Sequence, residues 1–153
     1  MMPEDFLDWL APTAQRICRQ YGLPASVCIA QGALESGWGE AVIGKYNLFG
    51  RKWSGSGRFI EVSTQEYHQG VYQTIVAKFQ HYDSLEEAVT DWCLLLTEDG
   101  VYSPCQSGTT DLIKFIETLG TVYATDPHYT DKIISIINAN HLRRYDGLDG
   151  NKG

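Results

Sequence analysis

A chain of 153 residues has room for one domain with a true buried core. Hydrophobic residues make up 43% and charged residues 20%, as in an ordinary globular protein. The net charge of −7 argues against a nucleic-acid binder, which needs a basic patch, and gives no sign of an anionic-membrane surface; no run approaches membrane-spanning length. Nine Tyr, four Trp and five Phe suit a core, and such rings also line sugar-binding grooves.

The N-terminus, Met1-Met-Pro-Glu-Asp-Phe6, lacks a basic region and a long apolar stretch, so no signal peptide is expected. Residues 4–21 read as a helix, with Phe6, Leu10, Ala14, Ile17 and Tyr21 at helical spacing. Pro12 is expected to kink or split it, and Gly22 to stop it. Pro24 opens a second helix that is apolar nearly all round, hence central and buried. It stops at Ser36-Gly37, which leaves Glu35 in the last turn.

Glu35 admits two readings. As a solvated acid at a helix end it has no chemistry. As a general acid it gains from the carbonyl end of the helix and from Trp38 and Phe49, which are expected to withhold water; both effects push its pKa upward.

Residues 41–58 read as irregular, with a tight aromatic turn at Asn47-Leu-Phe-Gly50 and a Gly/Ser loop at Trp53–Gly57. The period then changes to two. Phe59–Tyr67 and Val71–Phe79 flank a short Gly-containing turn and predict a β-hairpin. Glu66 falls near its tip, as an exposed turn-side acid or a second catalytic acid, with Glu61 as its rival.

Ser84-Leu-Glu-Glu87 predicts a capping box for a helix to about Leu96, which Asp99-Gly100 ends. Thr110 predicts the cap of a helix to Leu119, with Gly120 as its stop. Asp126-Pro127 opens a last helix to about Ala139, with Ile133, Ile134, Ile136 and Ile137 facing inward. Residues 1–141 thus form the domain and 142–153 a loose tail. Cys18, Cys28 and Cys93 sit in apolar helical patterns as expected buried thiols, and with Cys105 they leave one or two disulfides open. His68, His81, His128 and His141 lack metal-ligand spacing, and no metal or cofactor is called for.

Three of these stretches carry a resemblance. Ala33-Leu-Glu-Ser-Gly-Trp-Gly39, Asn47-Leu-Phe-Gly50 and Tyr123-Ala-Thr-Asp-Pro-His-Tyr129 resemble, in order, the signatures of the endo-β-N-acetylglucosaminidases of glycoside hydrolase family 73. The resemblance spans about residues 4–140 and implies a lysozyme-like α+β fold: a helical body, a small β-hairpin lobe and a groove between. It implies cleavage of the peptidoglycan glycan strand after N-acetylglucosamine. Glu35 matches the family's general acid, Glu66 the second acid on the β-lobe, and Tyr123 the groove tyrosine. Trp38, Asn47 and Phe49 match positions that shape the groove, and Tyr67, Asp126 and Tyr129 are carried with them as substrate-binding residues. Val122 departs from the glycine usual before that tyrosine.

The implied partner is the peptidoglycan glycan strand, met by a monomer or by part of a larger wall-lytic or phage assembly, at the wall, outside the cell or on a phage. Inverting, retaining and substrate-assisted routes stay open. So do two alternatives: a non-catalytic wall-glycan-binding module, and a muramidase or lytic transglycosylase of the same superfamily.

Overall fold

The computed structural model describes residues 1–98, 112–123 and 126–146, the side chains of Val122 and Tyr123 excepted. Helix α1, Pro3–Tyr21, buries Phe6, Leu10, Ala14 and Ile17 on one stripe. It runs through Pro12 as a single element rather than splitting there. Pro12 lies on the exposed side, where the N–H it lacks leaves only a solvent-facing carbonyl without its helical partner. Gly22, at φ 69°, ends the helix in the left-handed conformation.

Helix α2, Ala25–Ser36, is the central element. Every residue from Ala25 to Ala33 is buried, so it has no solvated face until its last turn. Leu10 and Leu48 crowd Gly32, where an added Cβ would stand 2.8 Å from Leu48 Cδ1. That glycine lets the Asn47–Gly50 turn lie directly on the helix.

Strands β1, Phe59–His68, and β2, Val71–Gln80, pair antiparallel in the register Phe59↔Gln80 to His68↔Val71. The two connecting residues, Gln69 and Gly70, both have positive φ (53° and 82°), the type I′ geometry that matches strand twist. The hairpin is fixed at its base. Lys52 bridges Phe79, Trp53 N–H donates to Lys78 O at 3.0 Å, and Gln80 N–H donates to Arg51 O at 2.9 Å.

Helix α3, Leu85–Glu98, opens as expected on Ser84, whose Oγ accepts the Glu87 N–H at 3.1 Å. Glu87 Oε1 reaches one residue further back, to the Asp83 N–H at 2.8 Å. Asp99, Gly100, Cys105 and Thr110 lie outside the described residues.

Helix α4 runs Leu112–Tyr123, so Gly120 does not stop it. An added Cβ on Gly120 would sit 2.5 Å from Thr130 Oγ1, and the glycine is there to let α5, Tyr129–Ala139, pack closely. Nor does the tail begin at residue 142. Leu142–Tyr145 form a 3-10 turn with Leu142 fully buried. Asp146 follows it, accepting the Ser26 N–H at 2.7 Å and the Ser26 hydroxyl at 2.6 Å. The chain after α5 thus returns to cap the start of α2.

Cys18, Cys28 and Cys93 are free, buried thiols, with the Cys18 and Cys93 sulfurs 3.9 Å apart. The Cys28 thiol and burial push the Cys18 pKa well up, which keeps that sulfur protonated and inert.

Candidate active site

The site is built on the way α2 ends. Trp38 N–H donates to Ala33 O at 2.8 Å, the six-to-one bond of a Schellman stop. Ser36 turns its hydroxyl back to Gly32 O at 2.7 Å and accepts the Gly39 N–H at 2.9 Å. Gly37, Trp38 and Gly39 are then left-handed in succession, at φ 59°, 58° and 88°. For Trp38 that conformation carries a cost of about 1 kcal/mol or more. Its ring is held edge-on to Phe6, with centroids 5.6 Å apart. The reversal throws the chain away from the helix axis immediately after Glu35 and leaves that side chain projecting at the surface.

Glu35 is the partly desolvated acid of the site. Burial against the protein raises its pKa, and a hydrogen bond from Tyr129 Oη to Oε2 at 3.2 Å works in the opposite direction. Desolvation is the larger effect, so the proton is held to higher pH than on a free glutamate. Trp38 packs on Phe6, and Phe49 is 4% exposed, stacked on Trp92 with centroids 6.1 Å apart. A ring that bonds the carboxyl is Tyr129, 94 residues away in sequence and itself buried.

Tyr129 is placed by Asp126. One Asp126 oxygen accepts the His128 N–H at 2.8 Å, the other accepts from Lys132 Nζ at 2.6 Å, and Asp126 O takes the Tyr129 N–H at 3.1 Å. The Lys132 ammonium holds the Asp126 carboxyl below its usual pKa. Both Asp126 oxygens are therefore engaged in shaping the turn into α5, which sets Tyr129 in place.

Asn47 is likewise structural. Its Nδ2 donates to Arg51 O and Gln80 O, both at 3.0 Å, and its Oδ1 accepts the Arg51 N–H at 2.9 Å. At 1% exposure it clamps the turn to the base of the hairpin from beneath. Arg51 continues this frame through Asp91 Oδ2 at 3.2 Å, where the Tyr82 hydroxyl also donates. Sequence reasoning passed over the strut under the turn: Trp92 Nε1 donates to Gln31 Oε1 at 2.6 Å, one helical turn before Glu35. A glutamine amid the apolar residues of α2 was the available signal.

Glu66 stands on β1 in register with Gln73, half-exposed, with His68 Nε2 3.2 Å from its Oε1. Strand alternation puts it on the face of Ile60, Val62 and Ile75, the face half-buried toward the body at the hairpin base. Glu61 and Tyr67 point to the opposite face. That parity favours Glu66 over Glu61 as the second acid and leaves Tyr67 on the face of Glu61, away from Glu66. Tyr123 closes α4, six residues before Tyr129, and its side chain is outside the described residues. Among the described residues, no group of three His, Cys, Asp or Glu side chains is placed to hold a metal ion.

A helical body with a two-stranded lobe and an acid at the end of a buried helix defines a lysozyme-like α+β domain. The chain matches the Glucosaminidase family, described as mannosyl-glycoprotein endo-beta-N-acetylglucosaminidase, over residues 11–142. It is 38% identical to the peptidoglycan hydrolase FlgJ of Escherichia coli K12 over 140 residues, 86% of this chain and 45% of that one. It is 34% identical to the exo-glucosaminidase LytG of Bacillus subtilis over 153 residues, 94% of this chain and 54% of that one. The solved catalytic domain of the autolysin Auto from Listeria monocytogenes superposes with a TM-score of 0.82 at 32% identity, covering 94% of this chain and 87% of that one. The chain therefore belongs to the glucosaminidases of glycoside hydrolase family 73. It spans about half the length of the curated relatives FlgJ and LytG.

Proposed function

We propose that this domain hydrolyses the β-1,4 bond after N-acetylglucosamine in the glycan strand of peptidoglycan, with Glu35 as the general acid. One observation carries the assignment of the acid: a carboxyl group at the solvent end of an otherwise buried helix, with a phenol hydrogen-bonded to one oxygen and partial desolvation raising its pKa. Glycosidic cleavage needs such a group to protonate the departing oxygen as positive charge grows on the sugar ring. Family membership and the names of the relatives supply the substrate class.

Glu66 is the second acid of this reading. On the inward face of the hairpin it either activates a water on the far side of the sugar or steadies the substrate's own acetamido group during attack. Tyr123 enters this reading only through its place in the Tyr123–Tyr129 stretch, as the groove tyrosine. Trp38 shapes the rim, while Asn47, Phe49 and Asp126 support the groove from below. The site of action is the cell wall, reached on its own or within a larger wall-lytic assembly.

The test is to digest purified peptidoglycan and weigh the released fragments. Reducing-end N-acetylglucosamine is expected. Reducing-end muramic acid or anhydro-muramic acid would replace this reading with a muramidase or a lytic transglycosylase, and absence of new ends with a binding module. The anomeric configuration of the first product, followed by NMR, separates the two roles of Glu66: inversion for water activation, retention for acetamido attack.

A further inference from the structure

The hairpin has a second face that the reading above does not use. Phe59, Tyr67, Tyr72 and Val76 project there, 41%, 62%, 71% and 56% exposed. The rings gather at the two ends. Tyr67 and Tyr72 are cross-strand partners, edge to face with centroids 4.9 Å apart and planes at 69°, and both rings stay largely exposed. At the base, Trp53 meets Phe59 at 4.9 Å. Between the ends lie Ser63, Gln65 and Thr74, with Gln65 Nε2 donating to Thr74 Oγ1 at 2.7 Å.

The charge on this face narrows what can bind it. Only Glu61 and Lys78 are ionic there, and they are register partners. Lys78 Nζ lies 5.2 Å and 4.6 Å from the Trp53 and Phe59 ring centroids. On a chain of net charge −7 this is a neutral strip. It offers exposed aromatic rings at the tip, a Trp53–Phe59 pair under the Lys78 ammonium at the base, and uncharged hydrogen-bonding groups in the middle. A sugar chain presents the complement: apolar C–H faces that lie on rings, and hydroxyls that bond to amides and alcohols.

The geometry points to a second glycan-binding surface on the outer face of the hairpin, which holds a neutral stretch of glycan strand while Glu66 on the inner face serves the groove. The proposal rests on the wall-hydrolase reading for the identity of the glycan. Adjacent residues of one strand, Gln65 and Glu66, then address two stretches of the same polymer from opposite sides of a two-stranded sheet. Such a surface raises residence on insoluble wall and leaves short soluble substrates unaffected.

The test uses Glu35→Gln protein, which is expected to hold wall without consuming it, sedimented with purified peptidoglycan. Adding Tyr72→Ala, at a site too exposed to threaten the fold, is expected to lower retention about fivefold, the scale of one lost aromatic stacking contact. In the active protein, Tyr72→Ala should leave kcat/KM on a soluble peptidoglycan tetrasaccharide within about twofold. Unchanged retention overturns the proposal. So does a parallel loss of soluble turnover, which would put Tyr72 in the groove, or a dimer that Tyr72→Ala dissolves, which would assign the face to a second copy. Retention that falls while the parent protein releases no new ends keeps the surface and removes the hydrolase reading instead.

Discussion

Tyr129 Oη and Glu35 Oε2 are 3.2 Å apart, and this hydrogen bond joins the start of α5 to the last turn of α2. It stabilises the ionised form of the carboxyl, against the desolvation that raises the pKa. Tyr129→Phe removes the donor and keeps the buried ring. The pH–rate profile should then keep its shape, with its alkaline limb displaced to higher pH. A limb that stays in place or moves to lower pH would mean that Tyr129 does not tune Glu35.

Glu35 should also weigh on stability. Its pKa is raised in the folded protein, so folding favours the protonated form. Stability is unreduced below the unfolded-state pKa and declines as pH rises through the folded-state value. Glu35→Gln removes the charge, so at neutral pH the variant should melt no lower than the parent, with any gain kept small by solvent screening of so exposed a group. Matched melting curves at pH 4 and pH 7 measure this, with the difference between the two proteins expected only at pH 7.

Asp146 is predicted to matter although it lies in sequence read as tail. It caps α2 through Ser26, and a lost helix cap costs about 1 kcal/mol, up to ~2 in favourable contexts. Asp146→Ala should lose that much by denaturant unfolding. Asp146→Asn, which keeps an acceptor for the Ser26 N–H, should lose less. Burial raises the Asp146 pKa, so the native charge opposes stability as pH climbs through the folded-state value, and the asparagine variant should lack that decline.

The stop after Glu35 gives a prediction that needs no contact at all. Gly37 has φ 59° and no atom within 4 Å of where a Cβ would be. Gly37→Ala therefore costs only the left-handed strain of an L-residue, about 1 kcal/mol. Gly120→Ala differs, because the added methyl meets Thr130 Oγ1 at 2.5 Å. It should cost about 1–3 kcal/mol as α4 and α5 are forced apart, partly offset by alanine's better helix propensity.

The strut beneath the turn is tested by Trp92→Phe. The ring stack on Phe49 survives, but Gln31 Oε1 loses its donor in a fully buried setting. The expected loss is about 1–3 kcal/mol, from an acceptor left unsatisfied.

Most of the fold was legible because local signals agreed. The apolar α2, its glycine stop and the period change at Phe59 need no distant partner to be read. The errors fall where a local signal served a distant contact. Gly120 looked like a stop and proved to be a point of close helix approach to Thr130. Residue 142 looked like the start of a polar tail, but burial of Leu142 and the Asp146–Ser26 bonds depend on α2, over a hundred residues earlier. At the candidate site, the position of Glu35 was legible and its partner was not. Nothing local to either end announces that Tyr129 meets Glu35. The bonds that Asn47 and Asp126 make within their own turns were not legible either, since a side chain that bonds backbone within its turn and one that contacts a ligand look alike in sequence.

The most direct measurement is the release of reducing ends from purified peptidoglycan by the parent protein and by Glu35→Gln, at equal folded concentration. If Glu35 donates the proton, the variant should lose about 10²–10⁴-fold in rate while its melting temperature does not fall. A folded Glu35→Gln protein that opens the wall at nearly the parent's rate would contradict the assignment.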